Sequence, residues 1–132
     1  MIVTGRKGIA RPGLLADAIG FTTNIVESMN QKFGVDFSVG VEVGGDPNAI
    51  YLSGIFESMN DYQAFRLAYL SDAEMSSSFK EGANFADVVE DRIGEILIPM
   101  GERQPFAQVN TIQAVSTNQP AAMEFFAQIC GL

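Results

Sequence analysis

The sequence contains no histidine, and this absence removes several common kinds of functional site. Its 132 residues include no His and a single cysteine, Cys130. Histidine supplies ligands to many haem, zinc and non-haem iron centres and the base of the Ser-His-Asp triad. A lone cysteine cannot form an internal disulfide, and without histidine it lacks the partner of a Cys/His nucleophile. The sequence therefore predicts no metal site, no cofactor and no catalytic motif.

Positive charge and long apolar runs are also scarce. Eight Lys and Arg residues stand against 16 Asp and Glu, which gives a net charge of −8. Nucleic-acid binding needs clustered cations, and the basic residues here are scattered, so no nucleic-acid partner is expected. No apolar stretch reaches the roughly 18 residues of a membrane span, and residues 1–13 lack the apolar segment of a signal peptide. We expect a cytoplasmic protein with no membrane partner and one globular domain over residues 1–132.

The first half of the chain has the pattern strand, helix, strand, strand. Residues 1–10 are rich in small and β-branched residues and predict a strand. Apolar residues then recur at helical spacing over residues 14–33, and Gly34 occupies the position of a C′ glycine. Residues 36–44 and 49–56 predict a hairpin, because the loop GGDPN between them contains the Gly, Asp and Pro of a tight turn.

The second half repeats this order without repeating the residues. Ser58 and Asp61 resemble a capping box that opens a second helix. We expect this helix to break near residue 70, to restart from a cap formed by Ser71 and Glu74, and to end at Gly82. Residues 84–92 fit either a short helix or a loop, and residues 92–100 predict a strand. The resulting order, β-α-β-β-α-β, is that of an α+β, ferredoxin-like fold with an antiparallel sheet.

The residues after Gly101 extend this unit. Residues 106–116 alternate as a strand does, and Asn118 with Pro120 is typical of a helix start. Met123, Phe126 and Ile129 would share one face of that helix. We expect residues 102–132 to be a C-terminal extension of the same domain, made of a strand and a helix.

The segment YLSGIFESMNDYQAFRLAYLSDAEM, residues 51–75, resembles the second half of dimeric α/β-barrel proteins. This superfamily includes antibiotic-biosynthesis-type monooxygenases, NIPSNAP-like proteins and EthD-like proteins. The residues that carry the resemblance are Phe56, Glu57, Ser58, Tyr62, Phe65, Leu70, Asp72 and Glu74. As a pattern it covers about residues 1–100, and it implies a homodimer whose two sheets pack against each other. The haem-degrading members and those with a His-Asp pair depend on histidine, so their activities do not transfer to this chain.

Alternation along the predicted strands assigns side chains to two faces of the sheet. Phe37, Val39, Val41 and Val43 are predicted to face the helices, which puts Glu42 on the opposite face. The residues predicted to share that second face and to bind a small ligand are Thr4, Arg6, Glu42, Tyr51, Ser53 and Glu95. For Glu42 and Glu95 a solvated or purely structural role is favoured over ligand binding, with Arg6 or another base as the partner of Glu42. Tyr62 and Tyr69 are predicted to pack in the core and at its rim.

The second face also carries apolar residues, which predicts a second copy of the chain as partner. Tyr51, Ile55, Ile93 and Leu97 would form an apolar patch there, and monomers rarely leave such a patch exposed. Two functions remain open. The favoured function is that of a small-molecule-binding or assembly protein with no catalytic activity. The alternative, implied by the resemblance, is a cofactor-independent monooxygenase for an aromatic or polyketide-like compound, with a carboxylate as base.

Overall fold

A computed structural model of the chain describes residues 1–97, 101, 102, 105, 113 and 119–129. The chain divides into two compact units, Met1–Pro99 and Met100–Leu132. The elements of the first unit are β1 (Ile2–Ala10), α1 (Leu15–Phe33), β2 (Phe37–Val41), β3 (Ala49–Phe56), α2 (Met59–Ser71), α3 (Ala73–Gly82) and β4 (Ala86–Glu95). The second unit contains α4 (Gln119–Ile129). None of the helices within the described ranges is both long and apolar enough to cross a membrane.

The four strands form one antiparallel sheet in the order β2-β3-β1-β4. The first strand is therefore central, between β3 and β4, and the two strands of the hairpin lie together at one edge. This element order and sheet topology confirm the predicted α+β, ferredoxin-like fold. The pairing of two such sheets into a dimeric barrel stays a prediction.

Helix α1 begins and ends close to the predicted positions. Gly34 adopts the left-handed conformation with φ of 63°, and its N–H donates a hydrogen bond of 3.0 Å to the carbonyl of Asn30. A glycine suits this position because it has no Cβ to strain the left-handed backbone. The side chain of Asn30 then bonds both main-chain groups of Phe37, each at 2.9 Å. Those two bonds connect the end of the helix to the start of β2.

The helix after β3 is interrupted, as predicted, but its second cap lies one residue later than expected. Ser58 caps α2 by accepting a hydrogen bond from the N–H of Asp61 at 3.2 Å. At the break, Asp72 caps α3 by accepting from the N–H of Met75 at 3.0 Å. The predicted cap, Ser71, instead donates to the carbonyl of Leu67 at 2.8 Å inside α2. Aspartate and serine both cap well, so the pattern alone did not separate neighbouring candidates.

The last strand starts earlier than the sequence indicates. Residues 86–95 form β4, so the interpretation of residues 84–92 as a short helix or a loop was wrong. Its register against β1 shifts between Lys7 and Gly8, which places one additional residue of β4 in the pairing. Most of its side chains are exposed, as on an edge strand, and the alternation that marks a half-buried strand is therefore missing.

The helices of the first unit pack on one face of the sheet, which we call the helix-covered face. The larger core cluster on this face consists of Val26, Met29, Phe37, Phe56, Phe65 and Met75. A smaller one, made of Ala10, Ala18 and Ile50, lies at the other end of α1. Phe37 and Val39 point to the helices as predicted, whereas Val41 and Val43 are 49% and 85% exposed. The strand β2 ends at Val41, three residues earlier than predicted, so Val43 lies in the loop that follows it.

The second unit is described in part. The predicted strand over residues 106–116 lies outside the described residues, apart from Gln113, and so do Cys130 and the side chain of Phe126. Helix α4 exposes Met123, Phe125 and Ile129 to between 47% and 63%. That residues 102–132 belong to the same domain as the rest of the chain stays a prediction.

Candidate functional site

The register of the strands divides the six predicted ligand residues between the two faces of the sheet. Directly paired residues of antiparallel strands carry their side chains on the same face. Arg6 pairs with Leu52 and Thr4 pairs with Gly54, so both lie on the helix-covered face. Tyr51 pairs with Lys7 and lies on the opposite face, which we call the open face. The predicted grouping of Thr4 and Arg6 with Glu42 was therefore wrong.

A pocket of about 240 Å³ lies between the helix-covered face and the helices. Its walls come from all four strands of the sheet and from all three helices of the first unit. The polar side chains on these walls are Thr4, Arg6, Tyr62, Arg66, Tyr69 and Asp91. The pocket contains the half-buried, charged side chain of Arg6. A small pocket with a few polar groups is typical of ligand sites, so we take it as the candidate binding site.

Arg6 and Asp91 form the central polar contact of the pocket. They are paired across β1 and β4, and the Arg6 Nε and Nη2 atoms donate to the two Asp91 carboxylate oxygens at 2.7 and 2.8 Å. This bidentate geometry is the strong form of an ion pair. The hydrogen bond from Arg6 holds the pKa of Asp91 below its usual range, and the same contact raises the pKa of Arg6. Both groups are therefore charged at neutral pH.

Aromatic rings surround this ion pair. The Phe65 and Tyr69 ring centroids are 5.0 Å apart, and those of Tyr69 and Phe79 are 5.6 Å apart. The Arg6 guanidinium lies 5.9 Å from the centre of the Phe79 ring, at the distance of a weak cation–π contact. Tyr62 and Tyr69 pack against the core as predicted, and both also line the pocket. The pocket thus has flat, apolar walls and contains one ion pair, formed by Arg6 and Asp91.

Glu42 belongs to a separate cluster at the open face. It lies just after β2, and its Oε1 atom accepts a hydrogen bond of 2.9 Å from the Tyr51 hydroxyl. Its Oε2 atom accepts one of 2.7 Å from the N–H of Asp46, and the Lys7 ammonium lies 4.0 Å away. A Cβ on Gly45 would lie 2.6 Å from the Glu42 carboxylate carbon, so a larger residue there would displace this carboxylate. The contacts of Glu42 therefore fasten the β2–β3 turn, and its predicted pairing with Arg6 was wrong.

Two of the predicted ligand residues lie away from both groups. Ser53 pairs with Gly5 and Ser38 on the open face. Glu95 pairs with Ile2 at the end of β4 and is exposed, on the helix-covered face rather than on the predicted one. Within the described ranges, no three carboxylate or thiol side chains come together as a metal site would require.

Sequence reasoning missed Asp91, Arg66 and Phe79 as members of the site. Asp91 lay in the segment that was not interpreted as a strand, so its pairing with Arg6 could not be inferred. A signal for Arg66 was present, because residues 62, 66 and 69 lie on one stripe of α2. This spacing predicts that the side chain of Arg66 lies between those of Tyr62 and Tyr69 on α2.

The fold can be compared with those of known proteins. No family model matches the sequence, and no curated protein matches it either. Among solved structures, a NIPSNAP domain protein from Burkholderia xenovorans is 11% identical and has a TM-score of 0.64, covering 79% of this chain and 99% of its own. A putative antibiotic biosynthesis monooxygenase from Chloroflexus aurantiacus is 20% identical, with a TM-score of 0.55 and coverages of 78% and 96%.

A third similar structure is SnoaB, a cofactor-independent oxygenase from Streptomyces nogalater. It is 9% identical, with a TM-score of 0.60, and the match covers 76% of this chain and 97% of SnoaB. Identities this low establish a shared fold and leave the chemistry open. The first unit of this chain thus has the ferredoxin-like fold of the NIPSNAP and antibiotic-biosynthesis-monooxygenase structures.

Proposed function

We propose that this chain is a small-molecule-binding protein whose ligand occupies the pocket between the sheet and helices α2 and α3. The observation that carries this proposal is the Arg6–Asp91 ion pair, which lies among aromatic side chains on the face that otherwise forms the core. The Arg6 and Asp91 side chains are 35% and 58% exposed, and ion pairs exposed to this extent contribute little to stability. Stability therefore gives little reason for the pair, whereas a polar anchor in an apolar pocket is a usual feature of ligand sites.

Binding without chemistry fits this site better than the oxygenase alternative. A carboxylate base must accept a proton from the substrate, and the carboxylate of the pocket is Asp91. Both of its oxygens accept hydrogen bonds from Arg6, and its lowered pKa makes it a weak base. The oxygenase alternative is supported by the likeness to SnoaB, which concerns the fold. We therefore propose a binding role.

We also propose that the protein acts as a homodimer in the cytoplasm, with the open faces of two copies packed together. Val3, Ile55 and Tyr51 give this face an apolar character, and no helix of the described first unit covers it. The prediction that Ile93 shares this face was wrong, because Ile93 pairs with Thr4 on the helix-covered face. Its charged groups are already paired within the chain, Lys7 with Glu42 and Arg92 with Glu90. A second copy would therefore bury apolar surface without adding unpaired charge.

The binding role can be tested with a neutral fluorescent probe, N-phenyl-1-naphthylamine, and with one pocket-filling variant. Ile93 lines the pocket and is 47% exposed, so Ile93→Trp should fill the pocket and leave the fold intact. We expect this change to weaken probe binding at least tenfold. The control is Val89→Trp, which adds the same ring to the same strand at a residue that does not line the pocket. Equal probe affinities in both variants and the unmodified protein would refute the proposed site.

Native mass spectrometry of freshly purified protein complements the probe. A small molecule that co-purifies with the unmodified protein and with Val89→Trp, but not with Ile93→Trp, would identify the natural ligand. A small molecule that co-purifies with all three proteins would have to bind elsewhere on the chain.

A further inference from the structure

The polar side chains of the pocket offer more hydrogen-bond donors than acceptors. Among the described residues, the hydroxyls of Tyr62 and Tyr69 and the guanidinium of Arg66 have no hydrogen-bond acceptor. Thr4 donates to the carbonyl of Arg92 over a long 3.4 Å. The carboxylate of the pocket, Asp91, already accepts twice from Arg6. Tyr62 and Tyr69 are half-buried, so a ligand that displaces solvent from their hydroxyls must bring acceptors to keep these donors paired.

The pocket is positively charged although the protein is acidic. The side chains of Arg6 and Arg66 each contribute one positive charge, and Asp91 contributes one negative charge, which leaves one positive charge in excess. Arg92 adds nothing to this sum, because its guanidinium bonds Glu90 and its position opposite Gly5 places it on the open face. The whole chain carries −8. A local positive site on such a protein favours an anion held at short range.

Arg66 is placed to receive the charged end of a ligand. It follows Tyr62 by four residues and precedes Tyr69 by three, so the three side chains lie on one stripe of α2. Its charge acts on Asp91 and contributes to the lowered pKa of that carboxyl, which indicates that Arg66 extends toward β4. Arg66 is exposed, whereas Tyr62 and Tyr69 are half-buried. The free cation therefore lies at the mouth of the pocket and the rings lie inside.

We infer that the ligand of this pocket is a small planar organic anion, with its carboxylate at Arg66 and its ring between the aromatic walls. The inference rests on the proposed binding function and adds the charge, size and orientation of the ligand. The volume of about 240 Å³ is below the roughly 300–1,000 Å³ of pockets for drug-sized ligands, which limits the ligand to a compact skeleton of at most three rings. A carboxylate supplies the acceptors that Arg66, Tyr62 and Tyr69 lack, and guanidinium groups bind carboxylates in a bidentate geometry.

Three probes of matched shape test this inference: 2-naphthoate, 2-naphthamide and 2-naphthylmethylammonium. They differ in charge and share the two-ring skeleton, so calorimetric titration at pH 7 isolates the contribution of the charge. We expect naphthoate to bind at least tenfold more tightly than the amide, and the ammonium compound to bind more weakly than both. Arg66→Gln should weaken naphthoate about tenfold and leave the affinity for the amide unchanged. The control Lys80→Gln removes a positive charge from a residue outside the pocket and should change neither affinity.

The outcomes separate the ligand class from the function itself. If the amide binds as tightly as naphthoate, and Ile93→Trp weakens both, the pocket binds ligands but the inference about an anion is wrong. If naphthoate binds more tightly and Arg66→Gln and Lys80→Gln weaken it equally, the effect is one of net charge, and the role given to Arg66 is refuted. If none of the three probes binds, both the inference and the proposed function are contradicted.

Discussion

Asn30 and Phe37 are joined by two hydrogen bonds of 2.9 Å that run in opposite directions. The Asn30 amide nitrogen donates to the Phe37 carbonyl, and the Phe37 N–H donates to the Asn30 amide oxygen. One side chain thus satisfies both main-chain groups of the first residue of β2. Because the ring of Phe37 packs in the larger core cluster, this contact also orients part of the core.

Replacing Asn30 by alanine should destabilise the fold by about 1–3 kcal/mol, because it leaves a partly buried N–H and carbonyl without partners. Urea unfolding followed by circular dichroism measures this loss. Asn24→Ala, on an exposed position of the same helix, is the matched control and should change stability by less than about 0.5 kcal/mol. Similar losses in the two variants would show that helix propensity, rather than the contact with Phe37, causes the effect.

Glu42→Gln should weaken the turn and leave the pocket unchanged. It removes the charge that accepts from Tyr51 and from the N–H of Asp46, so we expect a loss of up to about 1 kcal/mol. A double-mutant cycle with Tyr51→Phe should show coupling, and one with Arg6→Gln should show none, because Arg6 lies on the other face. The affinity for N-phenyl-1-naphthylamine should stay at the unmodified value. A large drop in that affinity would restore Glu42 as a ligand residue.

Acid should destabilise the protein partly through Asp72. The Lys32 ammonium, 2.6 Å away, and the N–H of Met75 both lower the pKa of this carboxyl in the folded state. A group with a lowered folded pKa stabilises the fold above its unfolded pKa, about 4 for aspartate, and this stability is lost as the pH falls through the folded value. Asp72→Asn should therefore lower the melting temperature at pH 7 and flatten its dependence on pH below about 4. The control is Glu27→Gln, on an exposed site of α1, which should keep the steep dependence of the melting temperature on pH. If both variants show the same dependence, Asp72 is not its source.

The proposed dimer predicts a specific response to charge on the open face. Sedimentation at micromolar concentration should show a dimer, and Ile55→Glu should convert it to a monomer, because an unpaired carboxylate would be buried at the interface. Val43→Glu adds the same charge at an exposed position after β2 and should leave the dimer intact. A monomeric unmodified protein would contradict the proposal.

Local signals made most of the fold predictable. The start and end of α1, the cap at Ser58 and the hairpin loop depend on neighbouring residues, and each was confirmed. The face assignment of β1 failed because the pocket puts Thr4 and Arg6 on the side that faces the helices. Polar residues on the covered side reverse the usual alternation, and such reversals are expected at functional sites. The first part of the edge strand β4, residues 86–91, was missed for the opposite reason, since exposure on both faces removes alternation altogether.

The ion pair at the centre of the pocket joins residues that are 85 positions apart. The pocket accordingly takes one wall from β1 and another from β4, which are the first and last strands of this unit. A nascent chain that ends before residue 91 already carries Arg6 and the aromatic residues of α2, but it has no carboxylate to hold the guanidinium in place. If the proposed function is correct, ligand binding requires the first unit to be complete, and a bound ligand would stabilise complete chains over truncated ones.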